Sequence, residues 1–325
     1  MSTAQSDSTL VGEATLEVEG GTAVIGRSPW QLFWRRFRRD KVAFVGLGFI
    51  VLLILVAIFA PLISEVRHIG PNQLFPETTN AIGLPAGPDS VHWFGSDTAG
   101  RDVFIRTVYG ARTSMTVAVL ATGISVIIGI VLGLMAGFFG GATDTVISRT
   151  IDVVMSLPIL LLGIGLAAAC SVGVNGCLFG IIQPGLPLVV FIISLVNWTY
   201  MARIVRGQTL TLRNREFIEA ARSLGSGNAR IMFKEILPNL AAPIIVYSTL
   251  IIPANILFEA ALSFLGVGIP QTTPSWGRML ADAQPVFTAA PWMMLFPGLA
   301  LLLTTLAFNL VGDGLRDALD PRTGR

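Results

Sequence analysis

The side chains able to do covalent or metal chemistry are few in this chain of 325 residues. Its two lysines, Lys41 and Lys234, follow no G-x-x-x-x-G-K-[ST] run, so the chain has no P-loop to cradle nucleotide phosphates. Its two histidines, His68 and His92, have no Cys or His partner at ligand spacing, and their loop setting predicts solvated imidazoles. No G-x-S-x-G nucleophile turn is present. The expected catalytic and metal sets are therefore both empty, and the protein is expected not to be an enzyme and to hold no cofactor of its own.

What remains polar stands out against an oily background. The chain is 53% hydrophobic and only 13% charged, with mean hydropathy +0.71. Soluble domains carry about 25% charged residues. So little charge cannot cover a surface facing water, and an integral membrane protein follows. A net charge of +2 gives no basis for nucleic-acid binding. Residues 1–29 lack the basic start and apolar run of a signal peptide and read as a disordered tail.

Apolar runs long enough to span a bilayer fall at about 42–63, 114–139, 148–169, 186–205, 239–264 and 291–311. Gly123, Gly129, Gly133 and Gly137 in the second suit close helix packing, and Pro253 predicts a kink in the fifth. With six spans both termini share a side. That side carries seventeen of the Lys and Arg residues and the other only five, Arg67, Arg101, Arg106, Arg112 and Arg278, so both termini are expected in the cytoplasm.

On this topology Cys170 and Cys177 lie in an outer loop. There a local disulfide is permitted, and two buried thiols are the other reading. Ionisable residues within the spans are scarce. Asp152 lies one turn from Arg149, an i, i+3 pair, and Glu259 falls near the outer boundary. Asn197, Trp198 and Glu259 are candidates for a translocation path, or pack within the bundle.

The most charged passage is "EFIEAARSLGSGNARIMFKEILPN", Glu216 to Asn239, with six charges between Glu216 and Glu235. Asn214 is placed to cap a helix with Glu216 and Glu219 in its first turn and Arg222 in its last, signs that complement the helix dipole. Phe217, Ala221 and Leu224 form a narrow apolar stripe, and Gly225 supplies the left-handed residue that ends the helix. Ser226 or Asn228 would cap a second helix running to Pro238. Physically this is either a helix resting on lipid or a docking element for a soluble partner.

"EAARSLGSGNARIMFKEILPN" resembles the cytoplasmic "EAA" loop of permease subunits of bacterial ABC importers, matched by Glu219, Ala220, Ala221, Gly225 and Ile236-Leu237-Pro238. "HWFGSDTAGRDVFIRTVYGARTSM", "GFFGGATD", "RTIDVVMSLPILLL", "NWTYMARIVRGQTL" and "FEAALSFLGVGIPQTTPSWGRML" are similar, in order, to segments of the second, "C-type" permease of the dipeptide/oligopeptide/nickel branch. The resemblance covers roughly residues 28–320.

It implies an all-α, six-span type I ABC importer permease fold. Residues 30–112 would form an anchor span with its extracytoplasmic loop. Residues 113–312 would form a core permease domain with a coupling loop at 206–238, followed by a cytoplasmic tail, 313–325. The implied partners are a homologous permease, two cytoplasmic ATPases that bind ATP and Mg, an extracytoplasmic peptide-binding protein and the lipid bilayer. The helix at Glu216–Leu224 would be the coupling helix, and short peptides the cargo. Nickel is the alternative cargo within the branch. A stand-alone secondary transporter would show an internal repeat and a midplane ionisable pair, and the sequence has neither.

Overall fold

Two of the long helices begin where a short carboxylate satisfies their first amides. Asp40 accepts from the backbone N–H groups of Val42 and Ala43, both at 3.0 Å, and starts α2 (Lys41–Arg67). Asp102 accepts from Ile105 N–H at 2.7 Å and starts α3 (Val103–Phe139). The computed structural model describes residues 29–79, 84–171 and 182–319. Of the residues expected to form a disordered tail, all but Pro29 lie outside these, as does Cys177.

A short amphipathic α1 (Pro29–Arg39) precedes α2. The remaining elements are α4 (Gly141–Ser156), α5 (Ile159–Ser171), α6 (Leu186–Leu212), α7 (Glu216–Ser223), α8 (Asn228–Arg230), α9 (Leu237–Asn239), α10 (Ala241–Phe264), α11 (Trp276–Ala283) and α12 (Trp292–Leu319). Between α8 and α9 the backbone takes one π-helical turn, Ile231–Ile236.

Five helices, α2, α3, α6, α10 and α12, are each long and apolar enough to cross a membrane. The expected third span is instead a pair, α4 and α5, bent by 89°. The cause is Pro158. A proline disfavours helical geometry in the residue before it, and Leu157 is extended (φ −87°, ψ 137°). The pair still runs the length of α6. Asp144 pairs with Arg206 near one end, Ile151 packs with Trp198 and Ala202, and Ala167 and Cys170 share a core with Leu188 near the other.

Both described ends of the chain lie together. Phe33 and Phe37 of α1 bury against the last turns of α12, in one cluster with Val311 and Ala318, and Gly314 abuts Ala43. Ends on one side require an even number of crossings, so the bent pair counts as the sixth. Several helices outrun the apolar stretches that mark them: α3 begins eleven residues before its expected span and α12 ends eight residues after its own. Pro253 is carried within a single continuous α10.

The centre closes on the glycines of α3. A methyl group at Gly129 would sit 2.6 Å from Met201 Cβ, at Gly133 2.7 Å from Ala202 O, and at Gly137 2.6 Å from Thr209 Cβ. Spaced four apart, these three glycines form one stripe on which α6 lies backbone to backbone. Gly123 has open space beside it and takes no part. Gly133→Leu is therefore expected to destabilise the purified protein by about 1–3 kcal/mol through overpacking, while Gly123→Leu leaves the thermal midpoint unchanged. Equal midpoints for the two variants would remove the glycine stripe from this role.

Candidate functional site

Two places bear on the expected coupling and path residues: α7 at the end of the bundle that holds both termini, and a cavity between α5, α6 and α10. The first is built from its caps. Arg215, not Asn214, occupies the N-cap of α7, and its side chain makes no capping bond. Glu216, Glu219 and Arg222 fall where the dipole favours them. At the other end Gly225 (φ +77°) closes a Schellman turn. Its N–H donates to Arg222 O at 2.9 Å and that of Ser226 to Ala221 O at 3.0 Å. The following helix starts from Gly227 without a side-chain cap, so neither Ser226 nor Asn228 serves that purpose.

The buried face of α7 differs from the stripe read in the sequence. Ile218 is fully buried among Leu134, Phe138, Met201, Val205 and Ile236, with Ala221 packed half-buried beside it. Arg222 lies 5.7 Å over the Phe138 ring. Phe217, Ala220 and Leu224 face outward with Glu216 and Glu219, and Leu224 is 87% exposed. The stripe reading failed because it gave Phe217 precedence over its neighbour Ile218, and only the tertiary context ranks the two. Pro238, exposed in α9, stands where the loop turns up into α10.

Beside this element, α3, α4 and α6 are tied by charge. Arg206 holds Asp144 through both carboxylate oxygens, and Arg213 donates to Gly137 O at 3.0 Å at the end of α3. Asp152 pairs with Arg149 at 3.9 Å, as its spacing implied, and with Arg203 at 3.3 Å. These last two pairs are exposed and contribute little.

The cavity, about 350 Å³, is lined by Ile159, Asn197, Tyr200, Tyr247, Ile251 and Phe258 among others. Asn197 donates to Asn255 Oδ1, and Asn255 Nδ2 donates to Thr122 Oγ1 at 2.7 Å, which ties α6, α10 and α3 together behind the wall. Of the three candidate path residues only Asn197 lines this space. Trp198 is buried against Ile151 and Ala202. Glu259 is completely buried, accepting from Ser114 Oγ at 2.9 Å and Ser263 Oγ at 2.8 Å. Tyr200 and Tyr247 were missed. Their signal was available, since they are two of only three tyrosines in the chain and both fall in apolar helices.

The opposite end is a packed cap. His92, expected to be solvated, is buried with Nδ1 2.7 Å from Asp102 Oδ2 and its ring against Phe75. Asp97 binds Arg101 Nε at 2.7 Å, and Trp276 of "PSWGRML" is fully buried, donating to Thr107 O at 3.0 Å against Gly110. Cys170 is buried at the end of α5, while its expected partner Cys177 lies outside the described residues.

Five long apolar helices and a bent pair, with a half-open cavity between α5, α6 and α10 and a firmly seated helix at one end, define a polytopic helical membrane protein. Residues 129–325 match the family described as "Binding-protein-dependent transport system inner membrane component", and residues 28–80 match the "N-terminal TM domain of oligopeptide transport permease C". The chain belongs to this family of inner-membrane permeases, a transport component and not a catalytic family.

It is 42% identical over 295 residues to the dipeptide transport system permease protein DppC of Alkalihalophilus pseudofirmus, covering 91% of this chain and 90% of that one. It is 41% identical to the oligopeptide transport system permease protein OppC of Bacillus subtilis, with the same coverage. Identity to the glutathione transport system permease protein GsiD of Escherichia coli is also 41%, over 91% of each chain. In fold it is similar to a chain of the inward-facing MetNI methionine ABC transporter, with TM-score 0.53 at 17% identity over 67% of this chain and 96% of that one. The type I permease fold is thereby shown.

The Asn255 bridge gives a test of the cavity wall. Asn255→Leu leaves the Asn197 amide and the Thr122 hydroxyl without their partner, at a cost of about 1–3 kcal/mol. The expected readout is a lower thermal midpoint than that of Tyr247→Phe, which removes only a hydroxyl from the cavity surface.

Proposed function

We propose that this chain is one of two unlike permease halves of an ATP-driven importer of short peptides. It would work with a homologous permease, two cytoplasmic ATPases that bind ATP and Mg, and an extracytoplasmic peptide-binding protein. The cargo assignment draws on the names of the relatives, which are dipeptide, oligopeptide and glutathione permeases. The wall chemistry supports it. Asn197, Tyr200 and Tyr247 are neutral groups that both donate and accept, suited to peptide backbone, and they carry no fixed charge to trap an ion.

The observation that carries the coupling role is the two-sided seating of α7. Its inner face, Ile218 and Ala221, is embedded among α3, α6 and the run leading into α10. Its outer face leaves Phe217, Ala220 and Leu224 uncovered. A push on the outer face from a closing ATPase pair therefore moves α6 and α10 with it as a body, and those two helices wall the cavity. Ala220 lets a partner approach closely, and Gly225 sets the bend. The arginine-rich end is the cytoplasmic one in this scheme. The unit 113–312 forms the half-channel, and 30–112 anchors it.

In the reconstituted importer, Leu224→Asp is expected to abolish peptide-stimulated ATP hydrolysis and to lower uptake of a labelled dipeptide at least tenfold, a loss of about 1.4 kcal/mol or more in coupling. Leu224 is exposed, so folding is spared. Gly225→Pro is expected to do the same by breaking the turn. Full stimulation and uptake in both variants would exclude the coupling role, and uptake of nickel in place of peptide would overturn the cargo assignment.

A further inference from the structure

A cavity of about 610 Å³, larger than the one in the proposed path, lies elsewhere on the bundle, between α2, α3 and α12. Ile50, Ile54, Ile58, Met115, Leu120 and Phe308 line it, and its walls are almost wholly apolar. Farther round α2, Val51, Leu52, Leu55, Phe59 and Leu62 are exposed, the surface a spanning helix turns to lipid tails. One residue breaks the pattern. Arg112 also lines the groove, is exposed, and makes no hydrogen bond or ion pair through its guanidinium with any described residue.

Depth makes that arginine informative. It lies nine residues into α3, about 13 Å along the axis from Val103. Its groove neighbour Ile58 lies seven residues, about 10 Å, before Glu65 near the end of α2. The apolar run of α3 begins only at about residue 114, so the guanidinium at position 112 stands at the outer edge of the hydrocarbon, within reach of the headgroups, and it cannot lose its charge. Other outer-end arginines are provided for: Arg101 binds Asp97, Arg106 bonds Pro71 O and Asn72, and Arg278 binds Asp282. Only Arg112 among these points an unpaired cation into an apolar groove, and the matching shape is an acyl chain below an anionic phosphate.

We infer that this groove is a binding site for one anionic glycerophospholipid of the outer leaflet, its phosphate on Arg112 and an acyl chain between α2, α3 and α12. The pairing is the general one of basic pockets between spans with anionic headgroups. The site lies apart from α7 and from the cavity between α5, α6 and α10, and does not depend on the cargo.

The test is retention of lipid by the complex purified through this chain, delipidated and then titrated with dioleoyl phosphatidylglycerol or dioleoyl phosphatidylcholine, read by native mass spectrometry. The unaltered protein is expected to retain one phosphatidylglycerol in preference to phosphatidylcholine. Arg112→Gln should weaken that retention roughly fivefold, Arg112→Lys should restore most of it, and Ile54→Trp should block it with the charge intact. Equal retention by Arg112→Gln, or no preference between the two lipids, would overturn the site. So would efficient cross-linking of the Arg112→Cys variant to a partner permease, since a protein helix would then fill the groove.

Discussion

The contact between α3 and α6 is the one on which the other parts of the molecule rest. Two helices whose side chains interdigitate stand 8–10 Å apart. Here Gly129, Gly133 and Gly137 remove the side chains from one partner, and the backbone of α6 settles onto that of α3. In a lipid environment no hydrophobic gain drives helices together, so dispersion at close range must do so. Once α6 is seated, Arg206 and Arg203 face Asp144 and Asp152 of α4, Asn197 meets Asn255, and Met201 and Val205 form the floor on which Ile218 of α7 sits.

Buried polar groups then fix register along the other seams. Asn255 and Thr122 join α10 to α3 in mid-bundle, and Glu259 with Ser114 and Ser263 joins them again one turn further out. Each group is costly if its partner is withdrawn, so α3, α6 and α10 are held as one slab. The ends of the slab serve opposite needs. One is closed by Trp276, His92 and the arginine–aspartate network, and the other presents α7 to whatever lies beyond the membrane.

Much of this was legible in the sequence. Apolar runs located every crossing, and Gly129, Gly133 and Gly137 announced a close helix contact because only packing explains glycine at every fourth position of a long helix. Gly225 was readable as a helix stop, since few other residues adopt its φ of +77° without strain. Helix ends were less legible, because hydropathy reports where the hydrocarbon ends and not where the hydrogen-bond ladder does. The bend at Leu157 needed the local effect of Pro158 to be weighed against thirteen apolar-rich residues that follow. Which side of α7 is buried, why His92 is dry and why Glu259 avoids the cavity all depend on neighbours distant in the chain, such as Leu134, Asp102 and Ser114.

The π turn at Ile231–Ile236 sits between the surface helix and the slab. Such a turn takes in one residue more than an α turn, and one residue is worth about 100° of rotation about the axis. It therefore works as a phase shifter. It sets the angle at which α10 leaves the loop, and so decides that Asn255 and Glu259 point into the bundle while Leu257 points away. Shortening the loop here by one residue would conserve every side chain in α10 and still turn that helix to show lipid its polar edge. Length in this segment is thus as much a determinant of the permease as any residue within it.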